Sequence, residues 1–258
     1  MIAYIDKGEG PVLVLLHGFC ETKELWEHFI DVLALKYRVI APDMPGFGES
    51  TYLQSTHLGI EVMADEVCKL LIQLNIEKCT LIGHSLGGYV TLAFSEKYKD
   101  MLNGIGLFHS TAFEDSDEKK DSRNKVIRYV EQNGVESFII PFVPPLFFYK
   151  KRQELDKQIA KAVKYGLTTP LETIVAVTKA MRDRPDRTHI LEALNIPVMF
   201  IVGKEDNSVP LESSMKQIHL PQKSVVHILS NVAHMGMFED ETATLLAVED
   251  FVRYCNLH

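Results

Sequence analysis

Residues 80–90 read TLIGHSLGGYV, with Gly83, Gly87 and Gly88 set around a single serine, Ser85. Glycine weakens both strands and helices, so three of them in so short a stretch require a geometric reason. Chance alone places a G-x-S-x-G pattern in roughly one chain in twenty of this length, so the flanking sequence decides. An apolar run ends at Ile82 and a helical pattern begins at Leu86. A serine on a sharp strand-to-helix turn needs a strained backbone. The residues two before and two after it then approach so closely that side chains would clash. The strain pushes the hydroxyl out of the sheet edge, where the following helix supplies N–H groups and a positive dipole end. Strain of this kind costs stability and points to function.

Working outward, short apolar runs recur at Val12–Leu16, Tyr37–Ala41, Cys79–Ile82, Met101–Phe108, Val198–Val202 and Val225–Leu229. Between them, Ile60–Leu74, Leu86–Tyr98 and Thr242–Tyr254 carry apolar residues at helical spacing. Strands alternating with helices predict an α/β fold, a mainly parallel sheet with helices on both faces. One region breaks the alternation. From about Phe113 to Asp186 there is no strand pattern. A helix is predicted to end at Gly134, the three prolines of PFVPPLFF bar its continuation, a second helix spans residues 150–166, and a third spans residues 169–182 with Pro170 in its first turn. The expected organisation is a core of residues 1–112 and 187–258 with an all-helical insertion, residues 113–186, over the carboxyl edge of the strands, where open α/β sheets bind ligands.

A nucleophilic serine needs a base within reach and an acid to orient that base. In a strand–turn–helix setting the chain order is serine, acid, histidine. Of the histidines beyond the insertion, His189 precedes the acid, His227 lies within a strand pattern, His219 ends a helix and His258 is terminal. His234 follows the last strand directly, at the correct edge. Glu205 and Asp206 follow Val202-Gly203, and Asp206 is preferred because it lies deeper in the turn before Val209-Pro210. The oxyanion donors are expected to be the backbone N–H of Leu86 and that of Phe19, after His17-Gly18, with Cys20 lining the pocket beside them. His17 and His84 each flank a motif and read as loop-pinning residues.

The segments HGF, DMPGFGES, GHSLGG, VGKEDNSVP and AHMGMFE, in that order, make the chain resemble the α/β-hydrolase superfamily along nearly its whole length. The nearest branch is that of small capped serine esterases and enol-lactonases. The resemblance implies that Asp43–Ser50 forms a tight loop behind the oxyanion site and that the insertion is a helical cap. It also separates the chain from relatives. Haloalkane dehalogenases and epoxide hydrolases carry aspartate where Ser85 stands. Cofactor-free haloperoxidases usually have a longer glycine run, and carbon–carbon bond hydrolases asparagine at the place of His84. Family members often have an extra edge strand before IAYIDKG, so a sheet one strand shorter is expected.

In the cap, Phe138, Ile139, Phe142, Leu146, Phe147 and Phe148 either pack the insertion onto the core or line an acyl pocket, and one residue can do both. The charge of -8 argues against a nucleic-acid binder, and four widely spaced cysteines read as free thiols in a reducing compartment. No secretory signal or membrane-length apolar stretch is visible, so a cytoplasmic protein is expected. The expected function is hydrolysis of a small ester or lactone-like substrate through Ser85, His234 and Asp206, without metal or organic cofactor. A small-molecule sensor and an acyltransferase or lyase on the same triad are the alternatives.

Overall fold

The computed structural model describes residues 2–51 and 58–257. Seven strands form one sheet: β1 (Tyr4–Lys7), β2 (Val12–Leu16), β3 (Arg38–Pro42), β4 (Cys79–His84), β5 (Leu102–Phe108), β6 (Val198–Gly203) and β7 (Ser224–Leu229). Their order is β1-β3-β2-β4-β5-β6-β7. All neighbours pair in parallel except β1, which runs antiparallel to β3 at the edge. The expected runs are therefore strands, with ends moved by one or two residues. β1 was not among them, because YIDK on an exposed edge has no apolar run to mark it.

The pleat sorts each strand between two cores. Val14 and Leu16 of β2 and Phe200 of β6 join one cluster, while Leu13, Leu15 and Ile201 join the other. The first cluster is closed by α2 (Ile60–Gln73) and α3 (Leu86–Tyr98), through Met63, Val67, Val90 and Phe94. The second is closed by α1 (Glu27–Leu33) and, at the far end of the chain, by the helix over Glu241–Cys255, through Phe29, Leu33, Val248 and Phe251. Helices thus cover both faces, as a mainly parallel sheet requires.

Between β5 and β6 every regular element is helical: α4 (Asp117–Phe142), α5 (Asp156–Leu167), α6 (Leu171–Asp183) and the short α7 (Thr188–Ala193). Three expectations need correction. The chain does break at Gly134 (φ 81°, ψ 173°), but helix resumes beyond it and includes Pro141. A proline in the final turn forfeits only one ladder bond, the one Ser137 would have accepted, so the helix survives to Phe142. Residues 150–155 turn rather than extend α5, and Pro170 caps α6 from outside instead of entering its first turn. After β6 come α8 (Leu211–Met215), β7, α9 (Gly236–Glu239) and α10 (Glu241–Cys255). No helix among the described residues is long and apolar enough to cross a membrane.

Two glycines with different surroundings test the packing. A Cβ on Gly83 would lie 2.1 Å from the backbone of Gly87, whereas one on Gly134 would meet nothing within 4 Å. Gly134→Ala should then cost only the strain of a backbone region that is essentially glycine's own, about 1–3 kcal/mol. Gly83→Ala should cost at least about 3 kcal/mol, since backbone cannot yield as a side chain can. Urea unfolding of both variants measures the difference, and equal losses would contradict the close approach.

Candidate active site

Ser85 lies between the last residue of β4 and the first of α3, with φ 50° and ψ −111°. A non-glycine residue there is strained by about 1–3 kcal/mol and must be held by its surroundings. Its N–H donates to the Phe108 carbonyl (2.9 Å), and its own carbonyl accepts from Gly88 N–H (3.0 Å) and the Ser110 hydroxyl (2.7 Å). Gly88 must also be bare, because a Cβ would sit 2.2 Å from Ser110 Oγ.

Asp206 and His234 leave the carboxyl ends of β6 and β7 at the same edge. Asp206 Oδ1 accepts the N–H groups of Ser208 (2.8 Å) and Val209 (3.0 Å), which fixes the carboxylate. Its Oδ2 accepts from His234 Nδ1 at 2.8 Å, and His234 Nε2 lies 2.9 Å from Ser85 Oγ. With Nδ1 donating, Nε2 is the acceptor for the serine proton. Glu205, the other carboxylate weighed, is exposed, and it is Asp206 that His234 bonds. Burial pushes the Asp206 carboxyl upward, but the imidazoles of His234 and His109 outweigh it and hold it well below the usual range. His109 itself, fully buried 3.4 Å from Asp206 Oδ2, is pushed down to about 4 by desolvation and stays neutral at pH 7.

The loop after β2 faces this group. Among the described residues neither the Phe19 nor the Leu86 N–H has a hydrogen-bond acceptor. His17 holds the loop from behind: Nδ1 pairs with the Gly18 carbonyl (2.8 Å) and Nε2 accepts Met44 N–H (2.9 Å). Asp43, fully buried, accepts from Lys23 N (2.8 Å), Lys23 Nζ (2.7 Å) and Glu49 N (2.9 Å), closing the loop that includes Gly46 and Gly48.

A profile described as the alpha/beta hydrolase fold matches residues 11–241. The chain belongs to the α/β-hydrolase family. It is 25% identical over 262 residues, 96% of this chain and 91% of the relative, to 2-hydroxy-6-oxo-2,4-heptadienoate hydrolase of Pseudomonas putida. Its fold superposes with TM-score 0.93 on a thermophilic esterase of Thermogutta terrifontis at 30% identity, covering 98% of this chain and 93% of that one. It superposes with TM-score 0.90 on the enol-lactonase of Burkholderia xenovorans, at 20% identity and 98% and 96% coverage. Hydrolases and esterases recur among the relatives and structural neighbours of this α/β hydrolase, beside a magnesium-chelatase subunit and a bromoperoxidase.

A cavity of about 220 Å³ opens over Ser85 and His234. Phe19, Phe142 and Leu146 line it, as do Glu21, Tyr89, Val126, Met181 and Val209. A larger hollow of about 400 Å³ between α1, α5 and α9 holds none of the three polar residues of the Ser85 chain. Three expected pocket residues are elsewhere. Cys20 adopts φ 58°, which turns its side chain into the core that also contains Ile139 and Ala162. Phe138 stacks behind Phe142 with centroids 4.8 Å apart, and Phe147 stacks on Phe238 at 6.1 Å. Both phenylalanines pack the helical block onto the body, which an apolar run in sequence cannot distinguish from pocket lining.

Two buried carboxylates escaped sequence reading. Glu239 accepts the N–H groups of Phe148 (2.6 Å), Ala233 (2.9 Å) and Met235 (3.0 Å), tying the histidine loop to the helical block. Leu146 adds its carbonyl to His234 N–H at 2.9 Å. Glu21 Oε2 accepts from Gly18 N–H and pairs with His84 Nδ1 at 2.9 Å. His84 Nε2 meets the His234 carbonyl, also at 2.9 Å. Both His84 nitrogens face acceptors, so both carry protons and the ring is an imidazolium. Burial alone would lower His84, but Glu21 raises it above 6.5; burial alone would raise Glu21, but the His84 charge lowers it.

That pairing has a pH dependence. The raised His84 contributes stability that is complete below its unfolded value near 6.5 and is lost as pH climbs through the folded value. Glu21→Gln removes the charge that raises it. Urea midpoints between pH 6 and pH 9 should fall more steeply for the wild type than for Glu21→Gln, and parallel curves would remove the charged pair.

Proposed function

We propose that the protein is a serine hydrolase that cleaves a small ester or lactone-like acyl substrate through an acyl-enzyme. The observation that carries this reading is the continuous hydrogen-bonded chain Ser85–His234–Asp206 opening onto a cavity of about 220 Å³. Ser85 Oγ attacks the carbonyl carbon while its proton passes to His234 Nε2. Asp206 keeps the proton on Nδ1 and stabilises the imidazolium. The free N–H groups of Phe19 and Leu86 receive the developing oxyanion, each worth about 3 kcal/mol in such sites. The intermediate collapses, and His234 returns the proton to the departing alcohol oxygen. Water then attacks the acyl carbonyl, gives a proton to Nε2, and the second collapse releases the acid and restores Ser85. For a lactone, acid and alcohol leave as one molecule.

The roof sets the acyl length. Each methylene that fits the cavity adds up to about 0.8 kcal/mol of binding, until the chain meets the wall and overpacking costs about 1–3 kcal/mol. Nitrophenyl esters from acetyl to palmitoyl, kept below micelle-forming concentrations, should show maximal kcat/KM at short or medium length. Phe142→Ala should move the maximum to longer chains. Phe147→Ala should lower stability by about 3–5 kcal/mol without moving it. A steady rise to palmitoyl would point to a lipase and overturn the reading.

The polar chain works as a unit, so losses should not add. Ser85→Ala and His234→Ala should each lower kcat about a million-fold, and the double variant hardly further. Asp206→Asn should cost about ten-thousand-fold, while Glu205→Gln keeps full activity. The reverse result for the two acids would reassign the acid.

A further inference from the structure

The cavity wall supplied by α4 is not the wall of a purely apolar acyl pocket. Lys119, Ser122, Arg123 and Val126 line it, at positions i, i+3, i+4 and i+7, so one stripe of the helix faces the space over Ser85. A helix that only roofed a hydrocarbon chain would be apolar along that stripe. Here only Val126 is, and two residues are cations.

Their charges are not balanced. Lys119 Nζ donates to the Ser208 carbonyl at 3.0 Å and has no carboxylate within ion-pair distance among the described residues. Arg123 Nε donates to Asp115 Oδ2 at 2.9 Å, and the rest of its guanidinium has no acceptor among the described residues. Asp115 is also the partner of Arg184, at 2.8 Å, so one buried carboxylate answers two guanidinium groups. Glu21, the carboxylate lining the same cavity, is already paired with His84.

Tyr89 registers the field. It lines the cavity from α3, its hydroxyl has no hydrogen-bond partner among the described residues, and the Arg184 guanidinium lies 4.0 Å from its ring centre. Burial raises the phenol, yet Arg184, Lys119 and Arg123 together draw it below its ordinary 10.0. A positive potential inside a protein cavity attracts an anion more strongly than the same charges would in open solvent.

We propose that Lys119, Arg123 and the Tyr89 hydroxyl form an anion subsite of the Ser85 cavity, and that the substrate is an ester or lactone carrying a carboxylate. The carboxylate accepts from the ammonium, the guanidinium and the phenol, and the scissile carbonyl sits at Ser85. The inference rests on the serine-hydrolase reading for its reacting bond, but the anion preference can be measured without turnover.

The test compares the 4-nitrophenyl monoester of glutaric acid with its methyl-capped neutral counterpart. The wild type should favour the charged ester by about 10-fold in kcat/KM, through KM, with the ratio shrinking as salt rises. Lys119→Met should bring the ratio close to one, and Lys119→Glu should reverse it. Because each ratio is taken on one protein, partial misfolding cancels. Binding of the same two esters to the inert Ser85→Ala protein gives the second readout, and should show the same preference. Equal rates for the two esters overturn the subsite and leave the hydrolase standing. Absence of hydrolysis overturns the hydrolase, and the binding ratio still decides the subsite: equal affinities overturn it.

Discussion

The close approach of Gly83 and Gly87 is the constraint on which the site depends. With hydrogen atoms in place of side chains, α3 can begin directly against the end of β4, and Ser85 is carried into a positive-φ conformation that it would not otherwise adopt. The strain is local, while its supports are distributed: the Phe108 carbonyl, Ser110 and Gly88 each fix one side of the serine. A second close approach serves the partners. A Cβ on Gly203 would lie 2.2 Å from the Ala233 carbonyl, so the loops bearing Asp206 and His234 are pressed together at the next strand ends. Function follows from topology here, since β4, β6 and β7 deliver three side chains to one edge of the sheet.

Around that edge the protein places buried charges in pairs. Taking ions out of water is costly, and a buried pair does not by itself stabilise a fold. Glu21–His84, Lys23–Asp43 and the Glu239 carboxylate share a different property: each ties backbone from one loop to another. The first links the Phe19 loop to the His234 carbonyl; the last links His234's neighbours to the helical block. In the proposed reaction, donors and acceptors would thereby be held before substrate arrives, which is the condition for electrostatic stabilisation of a transition state. The α4 stripe adds cations on the cavity wall, placed in the proposed subsite to meet a charge on the substrate.

Much of this was legible in the residues. Apolar runs bounded by glycine and proline marked six strands, and the order serine, acid, histidine marked the three side chains that converge. What was not legible has physical causes. β1 carries no apolar face. Pro141 sits in a final turn, where a proline costs little. The direction of Cys20 depends on a positive φ that no residue type at that position announces. Phe138 and Phe142 are alike in sequence, and only the packing of α4 decides which one faces the cavity. Nothing in the residues marks which way Lys119 and Arg123 face; the start of α4 sets which stripe turns inward. Glu239 was visible within AHMGMFE, but one of its three backbone partners, Phe148, lies far away in sequence in the helical block.

The central claim is that Ser85 becomes covalently acylated, and mass spectrometry reads it directly. Wild-type protein mixed with a nitrophenyl ester and quenched in acid within one turnover should gain the mass of the acyl group, on the peptide containing Ser85 and on no other. The same experiment with Ser85→Ala should give no adduct. An adduct on a different residue, or turnover of the ester with no adduct at Ser85 at any quench time short enough to trap one, would contradict the account.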